Sequence, residues 1–124
     1  MAKMTPKKIE KLAKEILDFL IDREMWIDTT IFFNNKAYTT TGSAYTSYNN
    51  RDNVITKTDI DPRDYFEYVN NILSMSFEGP LYDALNYNDG QMSVKIEEEF
   101  SNLLKKYGLY YELGNPWNLT LYEM

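Results

Sequence analysis

Neither cysteine nor histidine occurs among the 124 residues, and their absence limits how this chain can be held together. Disulfides, thiolate zinc sites and iron–sulfur clusters all need these side chains. A chain of this length buries roughly two thirds of its unfolded surface on folding, which is enough for one hydrophobic core. The sequence therefore predicts a single domain covering residues 1–124 that is stabilised by apolar packing, with no metal and no cofactor.

The same absence restricts the chemistry. A chain without imidazole has no proton shuttle that works near neutral pH and no Ser-His or Cys-His nucleophile. The five glycines never fall at the spacing of a nucleotide-binding loop. We therefore expect a protein that is not an enzyme. An enzyme that uses a pair of its 19 carboxylates is kept as an alternative.

Three segments carry the signals of main helices, which are apolar residues at helical spacing together with capping residues. Two of them open with a cap followed by proline, and the third ends at a glycine suited to a left-handed conformation. The predicted helices are Thr5 to about Arg23, a helix opened by Asp61-Pro62, and a helix from Ser93 to Gly108, with a short helical turn after Gly79-Pro80.

Stretches rich in β-branched and aromatic residues predict strands. These are Trp26 to about Asn34, Lys36 to about Thr41, Val54 to Lys57, Tyr110 to Leu113 and Trp117 to Tyr122, with Met75 to Phe77 as a short strand or an extended link. Asn34-Asn35 is a plausible hairpin turn, since asparagine tolerates positive φ. The expected fold class is α+β. It is an antiparallel sheet, made of an N-terminal meander and a C-terminal hairpin, with the three main helices packed mostly on one face.

Charge is distributed unevenly. Residues 59–99 hold ten acidic and two basic side chains, more than the whole net charge of −6. Such a surface repels phosphate backbones and attracts a basic surface on another protein, although solubility alone accounts for the same charge. We expect an acidic contact at Asp59, Asp61, Asp64 and Glu67. Calcium at these carboxylates is not expected, because the spacing lacks the glycine and glutamate of a calcium loop.

Residues 36–51 form a second candidate contact. Tyrosine, serine, threonine, glycine and asparagine fill twelve of these sixteen positions. Antibody-combining loops share this composition, because rigid aromatics give contact area and small hydroxyls adapt their hydrogen bonds. The predicted aromatic contacts are Tyr38, Tyr45 and Tyr48. An ordinary solvated sheet face explains the same residues equally well.

The longest nearly apolar run is Ile31-Phe32-Phe33, far below the ~18 residues that a membrane span needs. The basic N-terminus lacks the features of a signal peptide, so a cytoplasmic protein with no membrane partner is expected.

The functional expectation is a small acidic protein-binding module whose partner is another protein with a basic surface, rather than a nucleic acid. In general character the chain is similar to small orphan proteins of phages and other mobile elements. That likeness implies an inhibitor of a host nuclease or defence protein, of the anti-CRISPR or anti-restriction type. The alternatives are an immunity or antitoxin-like protein, a domain that binds single-stranded nucleic acid or sugar, and the carboxylate-based enzyme.

Overall fold

The computed structural model describes residues 4–23, 25–26, 29–40, 54–61, 72–77, 80–86, 91–115 and 117–124. Along these ranges the chain forms three helices and six strands. The helices are α1 (Pro6–Asp22), α2 (Pro80–Asn86) and α3 (Gln91–Lys105). The strands are β1 (Thr29–Phe33), β2 (Lys36–Thr40), β3 (Val54–Thr58), β4 (Ser74–Phe77), β5 (Leu109–Asn115) and β6 (Asn118–Glu123).

All six strands belong to one antiparallel sheet with the order β3-β2-β1-β4-β6-β5. The meander of β1 to β3 and the hairpin of β5 and β6 were both predicted. Strand β4 pairs with β1 on one side and β6 on the other, so it joins the two halves. The α+β class and the antiparallel sheet are confirmed, and among the six described strands β3 and β5 lie at the two edges.

Helix α1 begins and ends where its sequence predicts. The Thr5 hydroxyl accepts a 3.2 Å hydrogen bond from the Lys8 amide, and Pro6 occupies the first turn. This bond satisfies one of the amides that have no partner within the helix, and proline gives up no bond there. The cap therefore fixes where the helix starts.

The sheet face that carries Ile31, Met75 and Leu119 is covered by helices. These three side chains lie opposite one another in register on β1, β4 and β6, and all are fully buried. Helical side chains complete the same core, namely Leu12, Ile16 and Leu20 of α1, Leu81 of α2, and Phe100 and Leu104 of α3. In the described part of the chain, these helical side chains pack against this face of the sheet.

The described ranges contain two long helices, α1 and α3, and the short α2. The third main helix, predicted from Asp61-Pro62, would fall on residues 62–71, which lie outside the described ranges. Helix α3 begins at Gln91, two residues before the predicted cap Ser93, and Gly108 has a φ of +72° as predicted for its position after the helix. Within the described ranges, none of the helices is both long enough and apolar enough to cross a membrane.

The turn between β1 and β2 is the predicted Asn34-Asn35 hairpin. Both asparagines adopt left-handed conformations, with φ of 47° and 58°, as a two-residue hairpin of this type requires. The Asn34 side chain donates a 2.8 Å hydrogen bond to the Pro6 carbonyl. This bond ties the tip of the hairpin to the start of α1.

Candidate functional site: a groove between helix α3 and edge strand β5

Helix α3 leads into β5 through a turn at residues 106–108. The Tyr107 and Gly108 amides donate to the Leu104 and Lys105 carbonyls, at 2.9 and 3.0 Å, and the positive φ of Gly108 then redirects the chain. Glycine adopts this conformation without the steric cost that a Cβ brings. The helix consequently runs back alongside the strand that follows it.

Between this helix and this strand lies an open groove of about 850 Å³. One wall is a face of α3 and the other is β5. The lining residues are Glu97, Glu98, Ser101, Asn102 and Lys105 on the helix, and Leu109, Tyr110, Tyr111, Glu112 and Leu113 on the strand. The spacing of the helical residues repeats at three and four, which places them on one side of α3.

The position of α3 is fixed by contacts with both α1 and β5. The Phe100 ring lies 5.9 Å from that of Phe19 in α1 and 5.6 Å from that of Tyr111 in β5. The Arg23 guanidinium donates a 2.6 Å bond to the Glu99 carboxylate and lies 3.8 Å from the centre of the Phe19 ring. A half-buried ion pair of this kind contributes only modestly by itself, but the ion pair and the aromatic contacts all hold the same helix, α3.

The backbone of β5 presents hydrogen-bonding groups outward at alternate residues. The Met124 amide donates to the Gly108 carbonyl at 3.0 Å, so Gly108 and Met124 form a hydrogen-bonded pair of the β5–β6 ladder. Antiparallel ladders alternate, so Tyr110 and Glu112 also bond to β6. The amide and carbonyl groups of Leu109, Tyr111 and Leu113 therefore point away from β6, toward the groove side. Among the described residues, no strand lies beyond β5.

Glu97 organises the polar part of the groove. One of its carboxylate oxygens accepts hydrogen bonds from the Tyr111 hydroxyl and from the Ser101 hydroxyl, both at 3.2 Å. Burial, and secondarily the nearby Glu97 carboxylate, raise the pKa of Tyr111 to about 12. Tyr111 thus remains a neutral donor at physiological pH and holds Glu97 in place.

The groove is electrostatically polarised. Lys105 lies beside the turn and thus near Leu109, while Glu97 and Glu98 lie two turns back along α3, roughly 12 Å away at 1.5 Å per residue. Strand β5 runs over a similar distance from Leu109 to Leu113, and Glu112 lies toward its far end. The groove has three carboxylates at the end away from the turn and an ammonium group at the other.

Exposed apolar side chains cluster around β5 and the turn after it. Tyr110, Leu113 and Trp117 are 41 %, 39 % and 38 % exposed. Tyr110 lies on the sheet face opposite the helices, with its ring 5.8 Å from that of Tyr122. Trp117 was predicted to begin the last strand, but it lies in the turn that precedes β6.

The prediction that Tyr38 is an exposed contact is wrong. Tyr38 pairs with Ile31 on the helix-covered face, its ring lies 4.7 Å from that of Phe33, and only 7 % of it is exposed. Its burial raises its pKa above the usual value. A side chain already packed in the core has little area left for a partner. Tyr45 and Tyr48 lie outside the described residues, and their role as contacts stays a prediction.

The predicted acidic contact is only partly within the described chain. Asp59 is exposed, with a φ of 58°, and the turn it makes lets the Ile60 amide donate to the Asn35 carbonyl at 2.9 Å. Asp61 is half-buried, and Asp64 and Glu67 lie outside the described residues. Across the ranges that the structure covers, no three carboxylates are grouped so that they could hold a metal ion.

The α3–β5 groove was missed as a site, although its parts were predicted. Glu97 and Glu98 fall within the helix predicted from Ser93 to Gly108, and Tyr110 to Leu113 were predicted as a strand. The available signal was the short connection through Gly108, because a helix followed at once by a strand returns beside it. Strand order, which makes β5 an edge, has no comparable local signal.

In comparisons with known proteins, the chain matches no family model, and neither a curated protein nor a solved structure proved similar to it.

Proposed function

We propose that this protein is a non-enzymatic protein-binding module that captures an extended segment of another protein along the outer edge of β5. The observation that carries the proposal is the open α3–β5 groove, because it combines a helix wall with a strand edge that has no partner strand among the described residues. Sheet edges bind extended peptides by adding a strand, with main-chain hydrogen bonds providing affinity and side-chain pockets providing specificity.

The backbone of β5 supports this mode of binding. Leu109, Tyr111 and Leu113 direct their amides and carbonyls away from β6, on the groove side, where a strand contributed by the partner would form hydrogen bonds with them. Natural sheet edges are usually protected from such pairing by charge, proline or short length. Strand β5 is seven residues long and carries exposed apolar side chains. Both features favour the addition of a strand from a partner.

Glu97 and Glu98 bring part of the acidic stretch of residues 59–99 to the groove. Both lie in that stretch and both line the groove. A protein partner with a basic surface, as expected from the sequence, would meet these carboxylates. Since exposed charge pairs are screened by salt, its affinity should fall between about 0.1 M and about 1 M salt, where the Debye length falls from ~10 to ~3 Å.

The experiment is a selection from a displayed library of random linear peptides about nine residues long, enough to span β5. Selected peptides are then measured against Leu113→Pro and the matched control Leu113→Ala. Proline removes an outward amide and is tolerated on edge strands, whereas alanine retains the amide. Circular dichroism and thermal melting establish that both variants are folded.

We expect the selected peptides to bind Leu113→Ala within a few-fold of the unmodified protein and Leu113→Pro about tenfold or more weakly, because one main-chain bond is lost and the edge is obstructed. A library that yields no binders, or binders that treat the proline variant like the alanine variant, would contradict the proposal.

The narrower role, inhibition of a host nuclease or defence protein, is proposed as one use of the same groove. Purified restriction or CRISPR nucleases offer the direct test, since inhibition by the protein should be lost in Leu113→Pro and kept in Leu113→Ala. Equal inhibition by both variants would show that inhibition does not depend on the α3–β5 groove.

A further inference from the structure

We infer that the segment taken by the α3–β5 groove runs antiparallel to β5 and carries two adjacent basic residues followed directly by an aromatic or large aliphatic residue. This inference rests on the proposed strand addition and specifies the chemistry of the partner. It follows from which face of the sheet each groove residue occupies.

The groove carboxylates lie on two sides of the added strand. Glu112 pairs with Thr120 on the sheet face away from the helices. Glu97 lies on the helix side, where it accepts the Tyr111 hydroxyl bond, and Glu98 is its neighbour on α3. Successive side chains of a strand point to opposite faces. Two adjacent basic residues in the segment would therefore reach one carboxylate on each face.

The pairing geometry favours close contact at Glu112 and Tyr110. Because Leu109, Tyr111 and Leu113 would form the hydrogen-bonded pairs with the segment, Tyr110 and Glu112 would form the alternate pairs, in which the Cα atoms are closest. A basic residue opposite Glu112 then makes a cross-strand ion pair, a contact that stabilises sheets. The residue two positions along the segment faces Tyr110, which is 41 % exposed and whose ring lies 5.8 Å from that of Tyr122.

An apolar or aromatic residue fits the position opposite Tyr110, because aromatic cross-strand pairs add contact area without desolvating a charge. Lys105, at the end of the groove near Leu109, repels a basic residue placed there. The basic pair is thus confined to the end near Leu113.

Direction decides the order of the motif. Each strand pair in the sheet is antiparallel, and antiparallel pairing is slightly more stable per residue. In an antiparallel segment, the residue opposite Glu112 comes first, the one opposite Tyr111 second and the one opposite Tyr110 third. The motif is then basic, basic, aromatic. A parallel segment would show the reverse order.

The test uses individual peptides from the library selection described above, synthesised chemically and titrated into the full chain. We expect enrichment of the basic-basic-aromatic order, and affinity about 3- to 30-fold lower for Glu112→Lys than for the unmodified protein. N-methylation of the second motif residue should abolish binding, because its amide would donate to β5. N-methylation of the first should be tolerated, because its amide would point away.

Peptides that bind only when Leu113 retains its amide, but that lack the basic pair or show the reverse order, would overturn this inference and leave the strand-addition proposal standing. Peptides that bind Leu113→Pro and Leu113→Ala equally would overturn both. The N-methyl comparison does not depend on how any protein variant folds.

Discussion

The Tyr107 hydroxyl donates a 2.7 Å hydrogen bond to the Glu15 carboxylate and so joins the turn after α3 to the middle of α1. Lys106 adds a 3.2 Å ion pair to the other oxygen of the same carboxylate. The bond from Tyr107 is the largest cause that lowers the pKa of Glu15. Burial, followed by this same bond, raises the pKa of Tyr107 to about 12. The pair fixes the end of α3 from which the groove begins.

Replacing Tyr107 with phenylalanine should lower the free energy of unfolding at neutral pH by about 1 kcal/mol, a value suited to a part-exposed bond to a charged group. Because the pKa of Glu15 is lowered in the folded state, its contribution is present above its ordinary value of 4.5 and is lost as pH falls through the folded value. The difference between the two proteins should therefore shrink in acid.

Thermal melts of both proteins between neutral and acidic pH measure this effect. Tyr110→Phe is the matched control, since the Tyr110 ring lies on the opposite sheet face against Tyr122. A difference for Tyr107→Phe that stays constant down to low pH would contradict the assignment to Glu15.

Alkaline titration should reveal late-ionising tyrosines. Both Tyr107 and Tyr111 have a pKa raised to about 12, chiefly by burial. A raised pKa contributes stability that is complete below the ordinary value of 10.0 and is lost as pH rises through about 12. The ultraviolet absorbance of tyrosinate should rise in a late step at high pH, and in Tyr111→Phe the amplitude of this step should fall by the equivalent of one tyrosine. If the amplitude were unchanged in that variant, Tyr111 would not be one of the late-ionising tyrosines.

Tyr38 should behave as a core residue. Tyr38→Ala is expected to destabilise the fold by ~3–5 kcal/mol, the usual cost of removing a buried aromatic ring. Tyr38→Phe keeps the ring against Phe33 and should cost far less. Chemical denaturation of the two variants measures the contrast. Nearly unchanged stability in Tyr38→Ala would restore the original interpretation of this residue as a surface contact.

The pairing of β5 with β6 shifts register between Leu113 and Asn115, and this bulge should depend on Gly114. A Cβ at this position would lie 2.5 Å from the side-chain oxygen of Asn118, which is only 5 % exposed. We expect Gly114→Ala to cost ~1–3 kcal/mol through overpacking, and to cost less when Asn118 is also alanine. Gly108→Ala is the contrasting control, because its cost arises from a φ of +72° with open space around it.

A double-mutant cycle by denaturation distinguishes the two glycines. Asn118→Ala should reduce the destabilisation caused by Gly114→Ala but not that caused by Gly108→Ala. If it reduced the second, or failed to reduce the first, the close approach to Asn118 would not be the reason for glycine in the bulge.

Local signals predicted much of this fold. Thr5-Pro6 and the apolar spacing behind it specify α1, and Asn34-Asn35 specifies the hairpin, because caps and turns depend on adjacent residues. Strand order is different. Met75 pairs with Ile31 on one side and Leu119 on the other, and nothing near Met75 encodes either partner.

In the candidate site, too, the local elements could be predicted from the sequence but their pairing could not. The sequence placed Glu97 on a helix and Tyr111 on a strand, but their contact and the exposure of the β5 edge depend on β6 pairing inward with β4. Tyr38 was misplaced because the pattern of residues 36–51 does not tell which sheet face is covered. Its register opposite Ile31 decides that question.

Amide hydrogen exchange along β5 tests the central claim most directly. In the free protein, the amides of Leu109, Tyr111 and Leu113 should exchange quickly, while those of Tyr110 and Glu112 are protected by β6. On addition of a selected peptide, the three fast amides should become protected and the other two should change little. Binding that leaves Leu109, Tyr111 and Leu113 as fast as before would contradict capture at the edge of β5.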